Sequence, residues 1–372
     1  MLKIGITGTS GFIGKHLYNS IGLLPEEFEK VDFKRAYFDD EELLQAFVSN
    51  CDVIVHLAAL NRHNDPDVIY QLNLTLVKQL VNALNKAGSK AHVLFSSSTQ
   101  EENDNLYGKS KKDGRILFSE WAKNSDGRFT GFVIPNVFGP FGHPNYNSVI
   151  ATFCHKLSHQ EKPVVEVDST LKLIYVGELV DIILTEIRTN VANEMILIEP
   201  TYQSKVSDIL ALLQKFKTQY QDKGIIPDLN NIFETDLFNT YRCFMSVADY
   251  FPVKFTQHKD LRGAFVEIIR LNNGGQVSFS TTLPGITRGN HFHTRKIERF
   301  AVIKGKALIQ LRQIGTDKVL EFYLDGEEPG YVDMPIWYTH NIKNIGQEEL
   351  YTIFWINEFY DQNNPDTYFE NV

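Results

Sequence analysis

Several features that would direct the chain to other classes of protein are missing from its 372 residues. The three cysteines, Cys51, Cys154 and Cys243, are too far apart for a disulfide framework or a CxxC metal site. No apolar run approaches the ~20 residues of a membrane span, and the strand-like start MLKIGITG shows no signal-peptide pattern. The net charge of −9 disfavours nucleic acid and anionic membranes as partners. We therefore expect a cytoplasmic protein with reduced thiols.

What is present is enough apolar sequence for more than one core, since 43% of the residues are hydrophobic. Up to about residue 135, short apolar runs alternate with amphipathic stretches, a pattern typical of a doubly wound parallel sheet of the Rossmann type. The predicted strands are Lys3–Thr7, Asp52–Leu57, His92–Ser96 and Phe129–Ile134, and the predicted helices include Glu41–Val48 and Leu74–Asn85. Further helical stretches are Ser148–Leu157, Gly177–Arg188 and Ser207–Tyr220. We expect these to form a small substrate cap that completes a first domain of residues 1–252.

The texture changes after about residue 253, where short β-type runs follow each other and glycine-containing turns separate them. These runs are Phe265–Arg270, Gln276–Thr282, Arg299–Ile303, Ala307–Gln313, Leu320–Tyr323 and Tyr351–Trp355. Strands spaced about 8–12 residues apart suggest an all-β sandwich or barrel. The sequence therefore predicts a second, all-β domain over residues 253–372.

A glycine motif lies between the first predicted strand and the first helix. Gly8, Gly11 and Gly14 allow a tight turn, a close approach of the backbone to a pyrophosphate, and close packing of helix on strand. The amides at the start of the helix, around Phe12 and Ile13, would face the phosphates with the positive end of the helix dipole. The position of the motif predicts a dinucleotide site.

The GxxGxxG spacing resembles the extended branch of the short-chain dehydrogenase/reductase family. Further motifs follow in that family's order: His56-Leu57-Ala58-Ala59, Ser96-Ser97-Ser98, a YxxxK formed by Tyr107 and Lys111, and a segment Pro135–Pro140 that contains Asn136. The resemblance implies that Leu57, Ala58, Ala59 and Asn136 lie beside the cofactor. It also implies that Ser98, Tyr107 and Lys111 carry out the reduction.

The residue types fit that chemistry. Tyr107 and Lys111 would lie one helical turn apart on the same face, where the ammonium is expected to lower the pKa of the phenol so that it protonates a carbonyl oxygen. Ser98 would hydrogen-bond that oxygen, although Ser97 and Thr99 are rivals for the role.

The end of the second strand selects the cofactor. An acid there favours NAD, because it binds the ribose hydroxyls, and a basic group favours NADP, because it binds the 2′-phosphate. The segment contains both kinds, Asp32 and the pair Lys34 and Arg35. The basic pair falls where the strand is expected to end, so we predict NADPH with Arg35 as its main contact.

The second half carries Gly285-x5-His291-x-His293-x4-Glu298-x6-Gly305 and later Pro335-Ile-Trp337-Tyr-Thr-His340-x3-Asn344. Both segments resemble the two motifs of the cupin family, except that Trp337 stands where that family usually has glycine. Alternate residues of a strand point to one face, and imidazoles with one carboxylate suit Zn, Fe, Mn or Ni. We predict a divalent metal, with zinc the favoured choice, held by His291, Glu298 and His340. His293 either joins the ligands or acts on the substrate.

Two further segments resemble the dTDP-sugar 3,5-epimerase cupins, which use a histidine base without a metal. They are Asp260-Leu-Arg262-Gly263 and Thr287-Arg288-Gly289-Asn290-His291. We expect Arg262 and Arg288 to hold a nucleotide diphosphate, with ordinary salt bridges as the alternative. Lys304 follows Glu298 by strand alternation, so it is an alternative base if it faces the cavity.

An extended reductase fused to a cupin resembles the bifunctional enzymes of capsular polysaccharide synthesis. The segments Pro144–Cys154 and Pro365–Phe369 support that resemblance. It implies a UDP-linked 2-acetamido-2,6-dideoxy-4-ketohexose as substrate, whose C3 the cupin epimerises and whose C4 the reductase then reduces to give UDP-N-acetyl-6-deoxy-L-talose. It also implies a homodimer formed through the cupin. The alternative is an NADPH-dependent UDP-4-ketosugar reductase whose cupin serves only for dimerisation.

Overall fold

The computed structural model describes residues 1–189, 191–261 and 263–372. Within them the chain forms two compact units, one of residues 1–149 and 167–206, the other of residues 150–166 and 207–372. The domain boundary at 252/253 stays a prediction. Among the described residues, every helix is too short or too polar to span a bilayer.

The first unit is built on a six-stranded parallel sheet with the strand order β2-β1-β3-β4-β5-β8. Its strands are β1 (Leu2–Thr7), β2 (Phe28–Val31), β3 (Val53–His56), β4 (His92–Ser98), β5 (Arg128–Ile134) and β8 (Asn193–Leu197). A second, three-stranded sheet contains β6 (Asn136–Phe138), β7 (Thr170–Tyr175) and β9 (Tyr202–Lys205). The central strands are buried on both faces, as in parallel sheets covered by helices on both sides. The predicted Rossmann-type sheet is thus confirmed.

Helices cover this sheet, and their ends follow local capping chemistry. They are α1 (Phe12–Gly22), α2 (Glu41–Ser49), α3 (Pro66–Ala87), α4 (Leu106–Lys123) and α6 (Val176–Thr189), with short 3-10 turns at Arg35–Asp39 and Thr99–Glu102. The prediction started α3 at Leu74, but the helix begins at Pro66. It does so because Asp65 caps it by accepting the Asp67 amide and because proline suits the first helical position. α3 ends at Ala87 and is capped by Gly88, whose φ of 55° is left-handed.

The second unit joins helices to two antiparallel sheets. The helices are α5 (Val149–Ser158), α7 (Val206–Phe216), α8 (Ile232–Arg242) and α9 (Val247–Tyr250), with a π-helical turn at Lys217–Gln221. One sheet has the order β10-β18-β15-β20-β13, and the other β17-β16-β19-β14-β21. Their strands are β10 (Val253–Lys254), β13 (Gln276–Thr282), β14 (Thr287–Phe292), β15 (Glu298–Lys304), β16 (Lys306–Gln313), β17 (Val319–Asp325), β18 (Gly330–Met334), β19 (Tyr338–Asn344), β20 (Leu350–Ile356) and β21 (Tyr368–Phe369). A separate hairpin is formed by β11 (Gln257–Asp260) and β12 (Gly263–Val266). This cupin-like pair of sheets confirms the predicted all-β fold.

The elements that sequence patterns missed are mostly polar. The predicted strand Phe265–Arg270 is wrong beyond Val266, where β12 ends. The apolar runs did not include β14 and β19, because histidines and asparagines interrupt their alternation, although the cupin motifs placed His291 and His340 on strands. α8 escaped prediction because charged and polar residues lie between its few apolar positions.

A buried polar network ties α8 and the π-helical turn of the second unit to one of its two sheets. Arg299 on β15 and Asp333 on β18 form a bidentate ion pair, with Nε–Oδ1 at 2.7 Å and Nη2–Oδ2 at 3.0 Å. Tyr220 donates its hydroxyl to Asp333, and Arg242 at the end of α8 donates to the Tyr220 oxygen and to the Met334 carbonyl. The ion pair is almost fully buried. α8, the π-helical turn and this sheet therefore share one polar core.

Asp333→Ala is expected to lower the free energy of unfolding of the second unit by about 3–5 kcal/mol, because it leaves the Arg299 charge buried without its partner. Urea denaturation measures the loss. Asp325→Ala removes a half-exposed carboxylate on β17 and is the control, with an expected change within about 0.5 kcal/mol. Equal midpoints for the two variants would contradict a structural role for the network.

Candidate functional site

The glycine turn after β1 has the geometry of a phosphate-binding loop. Gly8 has a φ of +84°, and a Cβ on it would lie 2.9 Å from the Ala58 nitrogen. A Cβ on Gly14 would lie 2.1 Å from the Gly8 carbonyl oxygen, so only glycine permits this packing. α1 begins at Phe12, and its N-cap residue, Gly11, has no side chain that could bond to the first amides of the helix. The first-turn amides therefore point to a place that suits an anion.

The segment after β3 is fixed against this turn. The Leu57 and Ala58 amides donate to the Thr7 carbonyl and hydroxyl oxygens at 3.1 and 3.3 Å, and Ala59 follows directly. His56 contacts the same hydroxyl through Nδ1 at 2.9 Å, and burial lowers the pKa of its imidazole to about 3. A neutral histidine thus holds the two loops together.

Tyr107 and Lys111 share one face of α4, as predicted. The Lys111 ammonium is buried, donates to the Ser96 carbonyl at 2.9 Å, and lies 5.8 Å from the centroid of the Tyr107 ring. Burial lowers the pKa of Lys111 to about 8, and burial, then the charge of Tyr146, raises the pKa of Tyr107 to about 12. The expected lowering of the Tyr107 pKa is therefore absent, because burial dominates it in this structure.

The serine run offers one accessible hydroxyl at this place. Ser97 is buried and donates to Glu101, whose carboxylate also binds the Arg115 guanidinium. Ser98 is half-buried and accepts a hydrogen bond from the Gln100 amide at 3.2 Å, while Thr99 is exposed. The geometry therefore favours Ser98 over Ser97 as the group that reaches a substrate.

The remaining residues predicted to contact the cofactor lie at the ends of elements. β2 ends at Val31, so Arg35 opens the following 3-10 turn with an exposed guanidinium 5.5 Å from the Phe38 ring centroid. Asn136 is exposed at the start of β6, and Phe12 and Ile13 are half-buried at the start of α1.

Tyr146 is a site residue that sequence reasoning did not identify. The Asn61 amide donates to its hydroxyl at 3.3 Å, and Arg62 donates to the carbonyl oxygens of Asn145 and Tyr146. Tyr146 also contributes, after burial, to the raised pKa of Tyr107. The motif that contains Tyr146, Pro144–Cys154, carries a family resemblance but assigns no role to this phenol.

In the second unit, His291, His293, Glu298 and His340 converge between the two sheets. Each offers a ligand atom within 4.8 Å of the others. His291 lies on β14 and His340 on β19 of one sheet, whereas Glu298 opens β15 of the other. Glu298 Oε2 lies 3.2 Å from His293 Nε2 and 3.1 Å from His340 Nε2. His293, Glu298 and His340 are buried.

The backbone orients these imidazoles. His293 Nδ1 contacts the Asp366 carbonyl and His340 Nδ1 contacts the Tyr338 carbonyl, and because a carbonyl only accepts, each Nδ1 must carry the proton. Burial, then the imidazoles of His340 and His293, lowers the pKa of His291 to about 4. Burial would raise the pKa of Glu298, but His293 and His340 outweigh burial and hold it well below its usual range. The cluster thus presents Nε2 atoms and an ionised carboxylate to one point.

This donor set fits a divalent metal. His340 Nε2 is buried and makes no hydrogen bond of acceptable geometry to any described residue, although it lies near Glu298. Imidazole nitrogens with one carboxylate suit first-row ions, zinc among them. The four residues therefore fit the predicted metal.

Trp337 explains the departure from the cupin motif. It adopts a left-handed φ of 62°, the conformation that favours the usual glycine. Its ring stacks on Phe292 at 5.5 Å, and its amide donates to the His293 carbonyl at 2.7 Å. These contacts offset the backbone strain beside the histidines.

Two other predicted residues, Lys304 and Arg288, do not join the cluster. Lys304 is exposed and lies 3.6 Å from Glu348, because a bulge between Val302 and Lys304 breaks the alternation on which the expectation rested. Arg288 is exposed and donates to the Thr282 hydroxyl at 3.1 Å. Arg262 lies outside the described residues.

Comparison with known proteins places the chain in a family. Residues 4–198 match the NAD dependent epimerase/dehydratase family, and residues 258–368 match the polysaccharide biosynthesis C-terminal domain. A curated relative from Pseudomonas aeruginosa, UDP-2-acetamido-2,6-beta-L-arabino-hexul-4-ose reductase, is 32% identical over 99% of this chain and 98% of its own.

Comparison with solved structures gives the same result as the comparison of sequences. The capsular polysaccharide assembling protein CapF from Staphylococcus aureus is 36% identical with a TM-score of 0.63, and the match covers 100% of both chains. RMD from Pseudomonas aeruginosa, solved with NADPH, is 20% identical with a TM-score of 0.54 over 59% of this chain and 83% of its own, which shows a shared fold. The chain therefore belongs to the NAD dependent epimerase/dehydratase family and, along its whole length, is of the CapF type.

Proposed function

We propose that this enzyme acts twice on one UDP-linked 2-acetamido-2,6-dideoxy-4-ketohexose. The second unit epimerises C3, and the first unit then reduces C4 with NADPH to give UDP-N-acetyl-6-deoxy-L-talose, a precursor of surface polysaccharide. The observation that carries the proposal is the presence in one chain of the Ser98, Tyr107 and Lys111 set and of the four-residue cluster around Glu298. The two reactions are chemically compatible in this order, because C3 is acidic only while C4 is a ketone.

The reductase residues divide the reduction between them. NADPH supplies the hydride that C4 receives. Tyr107 gives its phenolic proton to the O4 oxygen, and Ser98 hydrogen-bonds that oxygen. Lys111 lies buried beside the phenol, where its ammonium stabilises the phenolate that remains. Burial raises the pKa of Tyr107, which keeps the proton on the phenol until hydride transfer to C4 makes O4 basic enough to accept it.

The cluster residues suit proton removal at C3. His291, Glu298 and His340 would hold the metal, which supplies a positive charge for the oxyanion that develops at O4. His293 would take the C3 proton, because its Nε2 faces the same point as the ligands. Arg288 and Arg262 remain proposed contacts to the diphosphate.

The name of the Pseudomonas aeruginosa relative supports the ketosugar that we propose as substrate. Its name describes reduction at C4 of an L-arabino hexulose, so its reductase acts on a sugar of that configuration. An L-talose product requires the opposite, L-lyxo configuration at C3, so in our proposal the second unit inverts C3 of such a sugar and the first unit then reduces it.

The cofactor assignment rests on Arg35, whose exposed guanidinium lies just beyond β2, and on the NADPH found with the structural neighbour RMD. The proposal is tested by mixing the metal-loaded enzyme with the UDP-4-ketosugar and either NADPH or NADH. We expect oxidation of NADPH that depends on the ketosugar, with a lower kcat/KM for NADH. No oxidation of either cofactor would refute the reductase.

A reductase with a non-catalytic cupin is the second candidate. It would bind metal weakly or not at all, and it would not exchange the C3 hydrogen with solvent. Hydrogen exchange in D₂O without NADPH separates the two candidates.

We also propose a homodimer formed through the second unit. The edge strand β13 exposes Val277 and Phe279 by 55% and 72%, and the hairpin β11–β12 exposes Phe265 by 68%. In the described chain that hairpin pairs with no other sheet, and a lone two-stranded hairpin is only marginally stable. Exposed apolar side chains on an unpaired strand edge favour burial of that edge against a second copy of the chain.

Phe279→Asp is expected to convert the dimer to a monomer, because it places a charge in the apolar contact. Light scattering coupled to gel filtration measures the mass. Tyr323→Asp alters an exposed aromatic residue on β17, the edge of the other sheet, and should leave the dimer intact. A dimeric Phe279 variant would place the interface elsewhere.

A further inference from the structure

Residues 365–371, here called the strap, contact each histidine of the cluster or a residue next to it. Phe369 on β21 pairs with His291 across the strands. The Asp366 carbonyl accepts from His293 Nδ1, and the Glu370 carbonyl accepts from the hydroxyl of Thr339, next to His340. Sequence spacing alone would not connect this segment to the cluster.

Asp366 also fixes the loop that joins His293 to Glu298. Its carboxylate accepts from the backbone amides of Thr294, Arg295 and Lys296 at 3.0, 3.1 and 2.9 Å, and from the Thr294 hydroxyl at 2.7 Å. The residue is 3% exposed and has a left-handed φ of 42°. A non-glycine residue in that conformation is strained, so its many contacts must hold it there.

One residue thus sets two members of the cluster at once. The carbonyl of Asp366 fixes the tautomer of His293 so that Nε2 faces the cluster. The carboxylate fixes the turn that delivers Glu298 from the other side. Hydrogen bonds of this kind around metal ligands typically change metal affinity by about 10–100-fold.

We infer that Asp366 is a positioning residue for the metal site and that the strap sets the geometry of its ligands. The inference rests on the proposed metal site and goes beyond it by assigning a role to a segment that supplies no ligand. A merely structural role would lower the stability of the unit and leave the coordination of a bound metal unchanged.

The test uses full-length Asp366→Ala and Asp366→Asn, with Asp361→Ala as the control. Asp361 is an exposed aspartate just before the strap, and its carboxylate accepts the Asn363 amide at 2.9 Å. Co²⁺ is the probe, since its visible absorption reports coordination, and competition with a chelator gives the affinity. Thermal unfolding of the metal-free proteins is recorded in parallel.

We expect Asp366→Ala to weaken Co²⁺ binding by about 10–100-fold and to change the Co²⁺ spectrum. Asp366→Asn, which keeps one acceptor oxygen, should fall between this variant and the wild type, and Asp361→Ala should match the wild type. Reduction at C4 of a ketosugar whose C3 is already inverted should continue in all three. If the alanine variant does not fold, the Co²⁺ affinity and absorption spectrum of the asparagine variant test the inference instead.

Wild-type affinity and spectrum in a folded Asp366 variant would overturn the inference and leave the metal site intact. A wild-type protein that binds no Co²⁺ would instead overturn the metal site and the inference together.

Discussion

Tyr107→Phe is expected to lower ketosugar-dependent oxidation of NADPH by about 10²–10⁴-fold, the usual contribution of a positioned proton donor. The variant keeps the ring that packs beside Lys111 and loses only the hydroxyl, so the fold and the cofactor site should survive. Stopped-flow absorbance at the nicotinamide band measures the rate.

The same variant should still exchange the C3 hydrogen in D₂O, since that step is assigned to the other unit. Tyr70→Phe is the matched control, because the Tyr70 hydroxyl binds Asp113 on the outer part of α4 and has no proposed part in catalysis. If Tyr107→Phe lost both reactions while folded, the division of labour between the two units would be wrong.

His291→Ala is expected to have the reverse effect. Removing one of three imidazoles from a cluster whose ligand atoms lie within 4.8 Å of one another should weaken metal binding by at least about 100-fold and abolish C3 exchange. Metal content after dialysis and proton NMR in D₂O provide the two readouts.

Reduction should persist in this variant when the ketosugar supplied already has C3 inverted, which is the L-lyxo configuration, because the first unit is unchanged. His159→Ala, which alters an exposed histidine just after α5, is the control and should keep both metal and exchange. Full C3 exchange by a metal-free His291 variant would support a metal-free histidine base, as in the dTDP-sugar 3,5-epimerase cupins that the segment around Arg288 resembles.

The sequence predicted those parts of the sites that depend on spacing along one element. Gly8 to Gly14 span a single turn, and Tyr107 and Lys111 share one helix, so their geometry follows from helix and turn periodicity. The cupin spacing similarly brought together His291, His293, Glu298 and His340.

What the sequence did not predict depends on long-range contacts. The expectation that Lys304 faces the cavity rested on strand alternation, and it failed because strand pairing produces a bulge between Val302 and Lys304. The pKa of Tyr107 follows burial and Tyr146, which no motif encodes. Asp366 meets His293 across 73 residues of sequence, so its part in the cluster needed the fold.

The most direct measurement is NMR of the product formed in D₂O from the metal-loaded enzyme, NADPH and the UDP-2-acetamido-2,6-dideoxy-4-ketohexose. A UDP-6-deoxy-L-talosamine derivative with an inverted, deuterated C3 and a reduced C4 would agree with two reactions at one ketone. A reduced sugar that keeps its original C3 hydrogen and configuration would show that the second unit does no chemistry on this substrate and would contradict the proposed function.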